Sequence, residues 1–204
     1  LYNDRDAKAC YYLGNFWYSK RQYTDAVHCW EKSILLDEEF PTPFRNLALA
    51  YYNKMNKKDE ALQLLEQAFV LDNTDARVFM ELDLLYKKLG EDPEKRLNKL
   101  DSYPNLVAQR DDLLVERITL LNVLGRYEEA RDALQSHQFS PWEGGEGKVS
   151  GQYNYCHMEL AKKALLKDKA VEAFHLLQKL DTYPPNLGEG KLATLAENDI
   201  WYYK

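Results

Sequence analysis

The sequence predicts an all-α protein assembled from repeated helical hairpins, and three observations support this fold class. Apolar residues recur at helical spacing almost throughout, as at Leu62, Leu65, Ala68 and Phe69, with polar residues between them. Segments with the alternating pattern of a β-strand are nearly absent. The third observation is self-similarity, because an alanine recurs at the same place in four related segments: Ala26 in YTDAVHCW, Ala61 in KDEALQLL, Ala130 in YEEARDAL and Ala173 in AVEAFHLL.

The spacing of these alanines defines the repeat. Their separations are 35, 69 and 43 residues, and 69 corresponds to two periods whose skipped unit falls on DPEKRLNKL. We therefore expect five units, at about residues 7–40, 41–75, 76–110, 111–153 and 154–192, followed by a truncated helix to residue 204. Because each unit of such an array contacts mainly its neighbours, we expect a right-handed superhelix whose concave face is lined by the first helices.

The first two units carry the packing pattern of a known repeat family. In residues 7–40 the small and large positions are Cys10, Leu13, Gly14, Trp17, Tyr23, Ala26, Trp30 and Ser33. Residues 41–75 repeat the pattern with Phe44, Leu47, Ala48, Tyr51, Ala61, Leu65 and Ala68. This pattern resembles the tetratricopeptide repeat, which has two helices in each unit of about 34 residues. The resemblance implies close helix crossings at Gly14 and Ala26, with Trp30 between successive repeats.

The third unit departs from the pattern. Arg96 occupies the position of the recurring alanine, and Pro104 is expected to end the second helix early. Asp92 followed by Pro93 still predicts a helix start, with an N-cap and a proline at the first helical position. We therefore expect a shorter, splayed hairpin in which replacing Arg96 by alanine does little harm.

A glycine-rich segment, PWEGGEGKV at 141–149, resembles a phosphate-binding loop, but Val149 stands where that loop has the Ser or Thr that holds magnesium. The segment recurs 43 residues later as PPNLGEGKL at 184–192, and both copies lie between helices, so we expect no nucleotide cofactor. One alternative is a compact turn of the same path in both copies, with a positive-φ glycine and a helix starting near Val149 or Leu192. The other is an anion or sugar site, with these candidate contacts: Trp142, Glu143, Glu146, Lys148, Glu189 and Lys191.

The long motifs of residues 74–204 carry a second resemblance. PWEGGEGKV, RDDL at 110–113 and the late NLGEGKL resemble bacterial proteins in which tetratricopeptide repeats follow a β-rich domain of unknown function. The resemblance implies that this chain is the C-terminal helical part of a longer protein, whose β-rich domain is similar to sugar-binding sandwiches.

Composition and motif content exclude several classes of function. A net charge of −6 opposes nucleic-acid binding, and no run of 18 apolar residues could span a membrane. Cys10, Cys29 and Cys156 form neither a CxxC pair nor an even set, so we expect buried free thiols, no metal, and a reducing, cytoplasmic compartment. No nucleophile, base or acid pair converges in the sequence, so we expect no catalytic residues and no enzyme.

The first helices supply the other candidate contacts. Asn15, Asn46 and Arg77 match part of the clamp with which some such repeats hold a peptide C-terminus, but Tyr11 and Glu81 replace two of its basic residues. Tyr11, Tyr12, Tyr18 and Tyr52 suggest an aromatic inner face for a peptide or an extended carbohydrate, with packing between helices as the alternative.

The sequence thus favours a non-catalytic interaction or scaffold module. Its partner is expected to be a protein or peptide, including the β-rich domain of the same chain. The alternative is a helical region that forms part of the ligand rim of a bacterial carbohydrate-active or carbohydrate-binding protein.

Overall fold

The computed structural model describes residues 5–190, 202 and 203, and within them every regular element is helical. The chain divides into two compact units, Leu1–Glu91 and Asp92–Lys204. The boundary falls inside the third predicted repeat. The all-α class with helical hairpins is therefore confirmed. In the described part of the chain, no helix combines the length and the apolar character needed to cross a membrane.

The first unit contains five helices. They are α1 (Ala7–Ser19), α2 (Tyr23–Leu36), α3 (Pro41–Met55), α4 (Lys58–Leu71) and α5 (Ala76–Leu89). Helix α1 packs on α2 and α3 packs on α4, so two hairpins follow one another. Asp6 caps α1 and Asp75 caps α5, each through a carboxylate that accepts two backbone N–H groups of the first turn.

In residues 92–190 the second unit has six helices and one 3₁₀ turn. The helices are α6 (Pro93–Asp101), α7 (Pro104–Ala108), α8 (Asp111–Val123), α9 (Tyr127–Ser136), α10 (Lys148–Leu165) and α11 (Ala170–Gln178), and the turn is Pro185–Leu187. Helix α8 packs on α9, and α10 packs on α11 and also on α8 and α9. As predicted, Asp92 caps α6 and Pro93 is its first residue.

Close helix crossings are where the alanine and glycine pattern places them. Ala61 and Ala130 are both fully buried. A Cβ on Gly14 would lie 2.4 Å from the indole nitrogen of Trp30, so a larger residue would push this ring away. A hydrogen bond also joins neighbouring hairpins, since the hydroxyl of Tyr51 on α3 donates to Glu31 on α2, and the hydroxyl of Tyr86 on α5 donates to Glu66 on α4 in the same way.

Arg96 is buried, which removes the reason for expecting that its replacement by alanine does little harm. Its side chain is only 5% exposed, and Nη2 donates to Oε1 of Glu116 on α8 at 2.9 Å. A second ion pair, between Arg117 and Asp101 at 2.6 Å, also joins α6 to α8. A charged residue is stable at the alanine position here because α8 supplies a carboxylate. Helix α6 is short, with 9 residues against 14 in α4, as the early stop predicted.

A buried histidine lies on α10. The side chain of His157 is fully buried, Nδ1 donates to the carbonyl of Tyr153 at 2.9 Å, and Nε2 has no hydrogen-bond partner among the residues that the structure describes. Burial lowers the pKa of His157 to about 4; the Tyr153 carbonyl opposes this shift, and the charges of Lys179 and Arg131 add to it. The imidazole is therefore neutral near neutral pH.

Candidate functional site

One candidate surface, the first-helix face, lies in the first unit and is formed by α1, α3 and α5. Nε1 of Trp30 donates to the carbonyl of Tyr11 and to Oδ1 of Asn15, both at 3.2 Å. Nδ2 of Asn46 donates to the same oxygen of Asn15 at 2.9 Å. These two donors fix the orientation of the Asn15 amide, because Oδ1 must face them. The NH₂ group of Asn15 has no hydrogen-bond partner among the described residues, and the side chain is half-buried.

The hydrogen-bonded chain continues from α3 to α5. Nη1 of Arg45 donates to Oδ1 of Asn46 at 3.2 Å, and its Nε donates to Glu81 at 2.6 Å, with a second bond from Nη2 to Glu81. Burial lowers the pKa of Arg45, but the bond to Glu81 and its charge outweigh this and raise the pKa, so the guanidinium stays charged. Arg77 reaches Glu81 at 3.3 Å, while 64% of its side chain stays exposed.

The sequence did not point to Arg45, although it is a central residue of this chain of contacts. Its position carries one signal, since Arg45 and Glu81 are of opposite charge and 36 residues apart, close to one repeat period. Because Arg45 is paired bidentately with Glu81, the face offers a bound carboxylate little uncompensated positive charge.

The predicted tyrosines separate into two groups. Tyr18 is a packing residue, with its ring 5.1 Å from the ring of Tyr23 and 5.5 Å from that of Trp30. Tyr11 and Tyr52 are half-buried on first helices, and Nζ of Lys88 lies 5.1 Å from the ring centroid of Tyr52. The ring of Tyr11 also packs, at 5.2 Å from the exposed ring of Tyr12 and at 5.3 Å from that of Phe40. Only the part of each ring that stays exposed can contact a ligand.

A second candidate surface, the loop groove, lies in the second unit between the two glycine-rich loops. Its volume is about 470 Å³, and its lining includes Trp142, Glu143, Glu146, Leu187 and Glu189. The loops contact each other directly. The backbone N–H of Phe139 donates to the carbonyl of Asn186 at 2.8 Å, and the side-chain amide of Asn186 donates to the carbonyls of Leu134 and His137, both at 2.8 Å.

Glu189 caps the helix that the first loop starts. Its carboxylate accepts the backbone N–H of Gly147 at 2.8 Å and that of Ser150 at 2.6 Å, at the first turn of α10. These are the amides that a phosphate would use at a helix N-terminus. They already have an internal acceptor, and the sequence did not predict this role of Glu189.

The prediction of one path for both loops is wrong. Gly144 and Gly147 have positive φ in the first copy and Gly188 in the second, so each copy has the expected positive-φ glycine. Gly145, which corresponds to Gly188 in sequence, does not have positive φ; its absent Cβ leaves room for Trp142. Pro185 stands where the first copy has Trp142 and begins a 3₁₀ turn.

The other predicted loop residues lie at the start of α10, in the groove, or outside the described residues. Helix α10 begins at Lys148, close to the predicted Val149, and the side chain of Lys148 is exposed. Trp142 is half-buried against Gly145, so it is neither a core residue nor fully in solvent. Lys191, and the helix start expected near Leu192, lie outside the described residues.

Comparison with known families agrees with the hairpin geometry. Residues 7–40 match the family model described as tetratricopeptide repeat. The chain carries a tetratricopeptide repeat. Solved tetratricopeptide-repeat structures are also similar. YrrB, a tetratricopeptide-repeat protein with an unusual peptide-binding site, has 19% sequence identity and a TM-score of 0.60 over 87% of this chain and 86% of its own.

Two further solved structures have the same fold. The tetratricopeptide repeat protein from Parabacteroides merdae is 14% identical, with a TM-score of 0.53 over 89% of this chain and 68% of its own. PilF of Pseudomonas aeruginosa is 16% identical, with a TM-score of 0.54 over 86% of this chain and 75% of its own. These matches show that the chain has the fold of tetratricopeptide-repeat proteins. The first-helix face lies on the first helices of its repeats.

Proposed function

We propose that the chain is a non-catalytic interaction module that binds an extended segment of a partner polypeptide across the first-helix face. The observation that carries this proposal is the fixed amide of Asn15. Its oxygen accepts from Trp30 and Asn46, which leaves a preorganised NH₂ donor on the face. An extended peptide has backbone carbonyls that need such donors, and a donor held in one orientation loses little entropy on binding.

The charges on this face favour a peptide backbone over a terminal carboxylate. Arg45 is paired bidentately with Glu81, and Arg77 also contacts Glu81, so this carboxylate lowers the positive charge that the face can offer to a peptide C-terminus. The half-buried rings of Tyr11 and Tyr52 add apolar surface to this face, where partner side chains can pack. YrrB, which shares only the fold, is described as having an unusual peptide-binding site, so a peptide is the ligand class to test first.

Two kinds of polypeptide partner are candidates. The resemblance of the glycine-rich loops to proteins with a β-rich domain makes such a domain one candidate, and a separate protein is the other. A carbohydrate ligand is the competing proposal, and the same assay can address it.

The test is a selection of random displayed peptides on the immobilised chain, followed by fluorescence anisotropy with the enriched peptides. Asn46→Ala should weaken peptide binding by about tenfold, because it removes one of the two donors that orient Asn15. Arg77→Ala should also weaken binding, since its exposed side chain borders the face. The matched control is His28→Ala, an exposed residue on the second helix α2, which should leave affinity unchanged.

Two results would overturn the proposal. One is a selection that enriches no peptide. The other is a set of enriched peptides that bind Asn46→Ala and Arg77→Ala as tightly as the unmodified chain. Saturable binding of an oligosaccharide such as cellohexaose that Asn46→Ala weakens would favour the carbohydrate alternative.

A further inference from the structure

We propose that the loop groove of the second unit is a separate binding site, and that it takes the cationic side chain of an arginine or lysine from a partner polypeptide. This inference rests on the proposed function only in that the partner is a polypeptide. The groove lies among residues 140–190, whereas the first-helix face lies among residues 5–91. The two sites can therefore be tested separately.

The shape of the groove suits a side chain with its flanking backbone. Its volume of about 470 Å³ falls within the range of about 300 to 1,000 Å³ that is typical of ligand pockets. Pro141, Val149 and Leu187 supply apolar lining. The methylene groups of a long basic side chain can pack on such a surface while its charged end reaches the rim.

The indole ring of Trp142 forms one wall of the groove and packs against the loop backbone. A Cβ on Gly145 would lie 2.2 Å from the indole ring, so only glycine allows the ring to lie this close to the loop backbone. Trp142 has no ring or hydrogen-bond partner among the described side chains, and it lines the groove together with Gly145. A tryptophan ring attracts a cation placed over its face.

The charge of the groove favours a cation. Glu143 and Glu146 line it, both are exposed, and neither has an ion pair or hydrogen bond with any residue that the structure describes. None of the described lining residues is basic. Two of the amides at the start of α10, those of Gly147 and Ser150, are already bound by Glu189. The groove therefore combines an aromatic wall with two carboxylates that have no partner within residues 5–190, and the amides of Gly147 and Ser150 are occupied.

Arginine fits this combination better than lysine. Its planar guanidinium can stack on an indole and donate to a carboxylate at the same time. A sugar could also stack on Trp142, but its hydroxyl groups are neutral and would leave both carboxylates without a counter-charge. The negative charge of the groove therefore favours a cationic side chain over a sugar.

The test uses the full chain labelled with ¹⁵N and a short peptide in which one arginine is flanked by serine and glycine. The indole N–H signal of Trp142, assigned with Trp142→Phe, is followed during titration. The arginine peptide should shift this signal saturably. Replacing the arginine by citrulline, which has nearly the same shape and no charge, should weaken binding by roughly tenfold.

Variants of the carboxylates test the charge directly. Glu143→Gln with Glu146→Gln should weaken the arginine peptide by roughly tenfold and should leave the circular dichroism spectrum unchanged, because both residues are exposed. The matched control removes two exposed carboxylates of the first unit, Glu38→Gln with Glu39→Gln, and should have no effect.

Three outcomes would overturn the inference. They are no shift of Trp142 up to the solubility limit of the peptide, equal binding of the arginine and citrulline peptides, and a saturable shift by cellohexaose that Glu143→Gln with Glu146→Gln does not weaken. Asn46→Ala should leave the arginine titration unchanged. If the arginine peptide does not bind the groove but displayed peptides still bind the first-helix face, only this inference is refuted. If the groove binds the arginine peptide but no displayed peptide binds the first-helix face, only the proposed function is refuted.

Discussion

The buried imidazole of His157 should make the protein sensitive to acid. In the folded chain its pKa is lowered to about 4, whereas the ordinary value is 6.5. The unfolded chain therefore takes up a proton at a higher pH than the folded chain. The stability that this difference provides is fully present above about pH 6.5 and is lost as the pH falls towards 4.

The size of this effect follows from the two pKa values of His157. Each pH unit between them is worth about 1.4 kcal/mol, so the full difference corresponds to roughly 3 kcal/mol of unfolding free energy. About 2.5 kcal/mol of this should be lost between pH 7.5 and pH 4.5. Carboxylates elsewhere in the chain will add their own acid dependence, so a variant without the imidazole is needed for comparison.

Urea unfolding followed by circular dichroism at both pH values measures this loss. His157→Gln keeps a hydrogen-bond donor but cannot titrate, so its stability should fall less between the two pH values than that of the unmodified chain. His28→Gln, at an exposed histidine, should show the unmodified pH dependence. Equal acid sensitivity of the unmodified chain and His157→Gln would refute the reasoning.

Five further outcomes can be measured by urea or thermal unfolding. Glu189→Ala should lower stability by about 1–2 kcal/mol through loss of a helix cap. Glu146→Ala, at the matching position of the other loop, should change stability by less than about 0.5 kcal/mol. Equal effects of the two variants would contradict the capping role of Glu189. Ala130→Leu should cost ~1–3 kcal/mol by overpacking, and Arg96→Ala about 2 kcal/mol through loss of the packing of its buried side chain and of its ion pair with Glu116, so a neutral Arg96→Ala would contradict this role. Gly188→Ala should cost more than about 1 kcal/mol because of its positive φ, and a neutral result would show that the loop relaxes readily. Millimolar ATP with magnesium should leave the melting temperature unchanged, whereas a clear rise would reveal a nucleotide site.

The repeat was predictable because its determinants are local and periodic. A helix crossing close to another tolerates only a small side chain, so the alanines at 26, 61, 130 and 173 mark the crossings directly in the sequence. The burial of Arg96 was not predictable in this way. Its stability depends on Glu116, which lies 20 residues away on another helix and carries no periodic signal.

The candidate surfaces were predicted in part. Asn15 and Asn46 were identified by position, but the hydrogen bonds that orient their amides depend on Trp30 and Arg45, whose rotamers the sequence does not reveal. The loops show a different limit. Equal spacing of glycines suggested one path, yet Trp142 in one copy and Pro185 in the other impose different backbones, because an indole needs space and a proline has a fixed φ.

The cap supplied by Glu189 also has a consequence for how the chain is made. Gly147 lies 42 residues before the carboxylate that holds its N–H group. During synthesis, the first turn of α10 therefore emerges well before its acceptor does, and contacts of such sequence separation form late in folding. A nascent chain that has been translated only as far as α11 will have an α10 with a frayed beginning, which is the stage at which a chaperone or a protease has access to this turn.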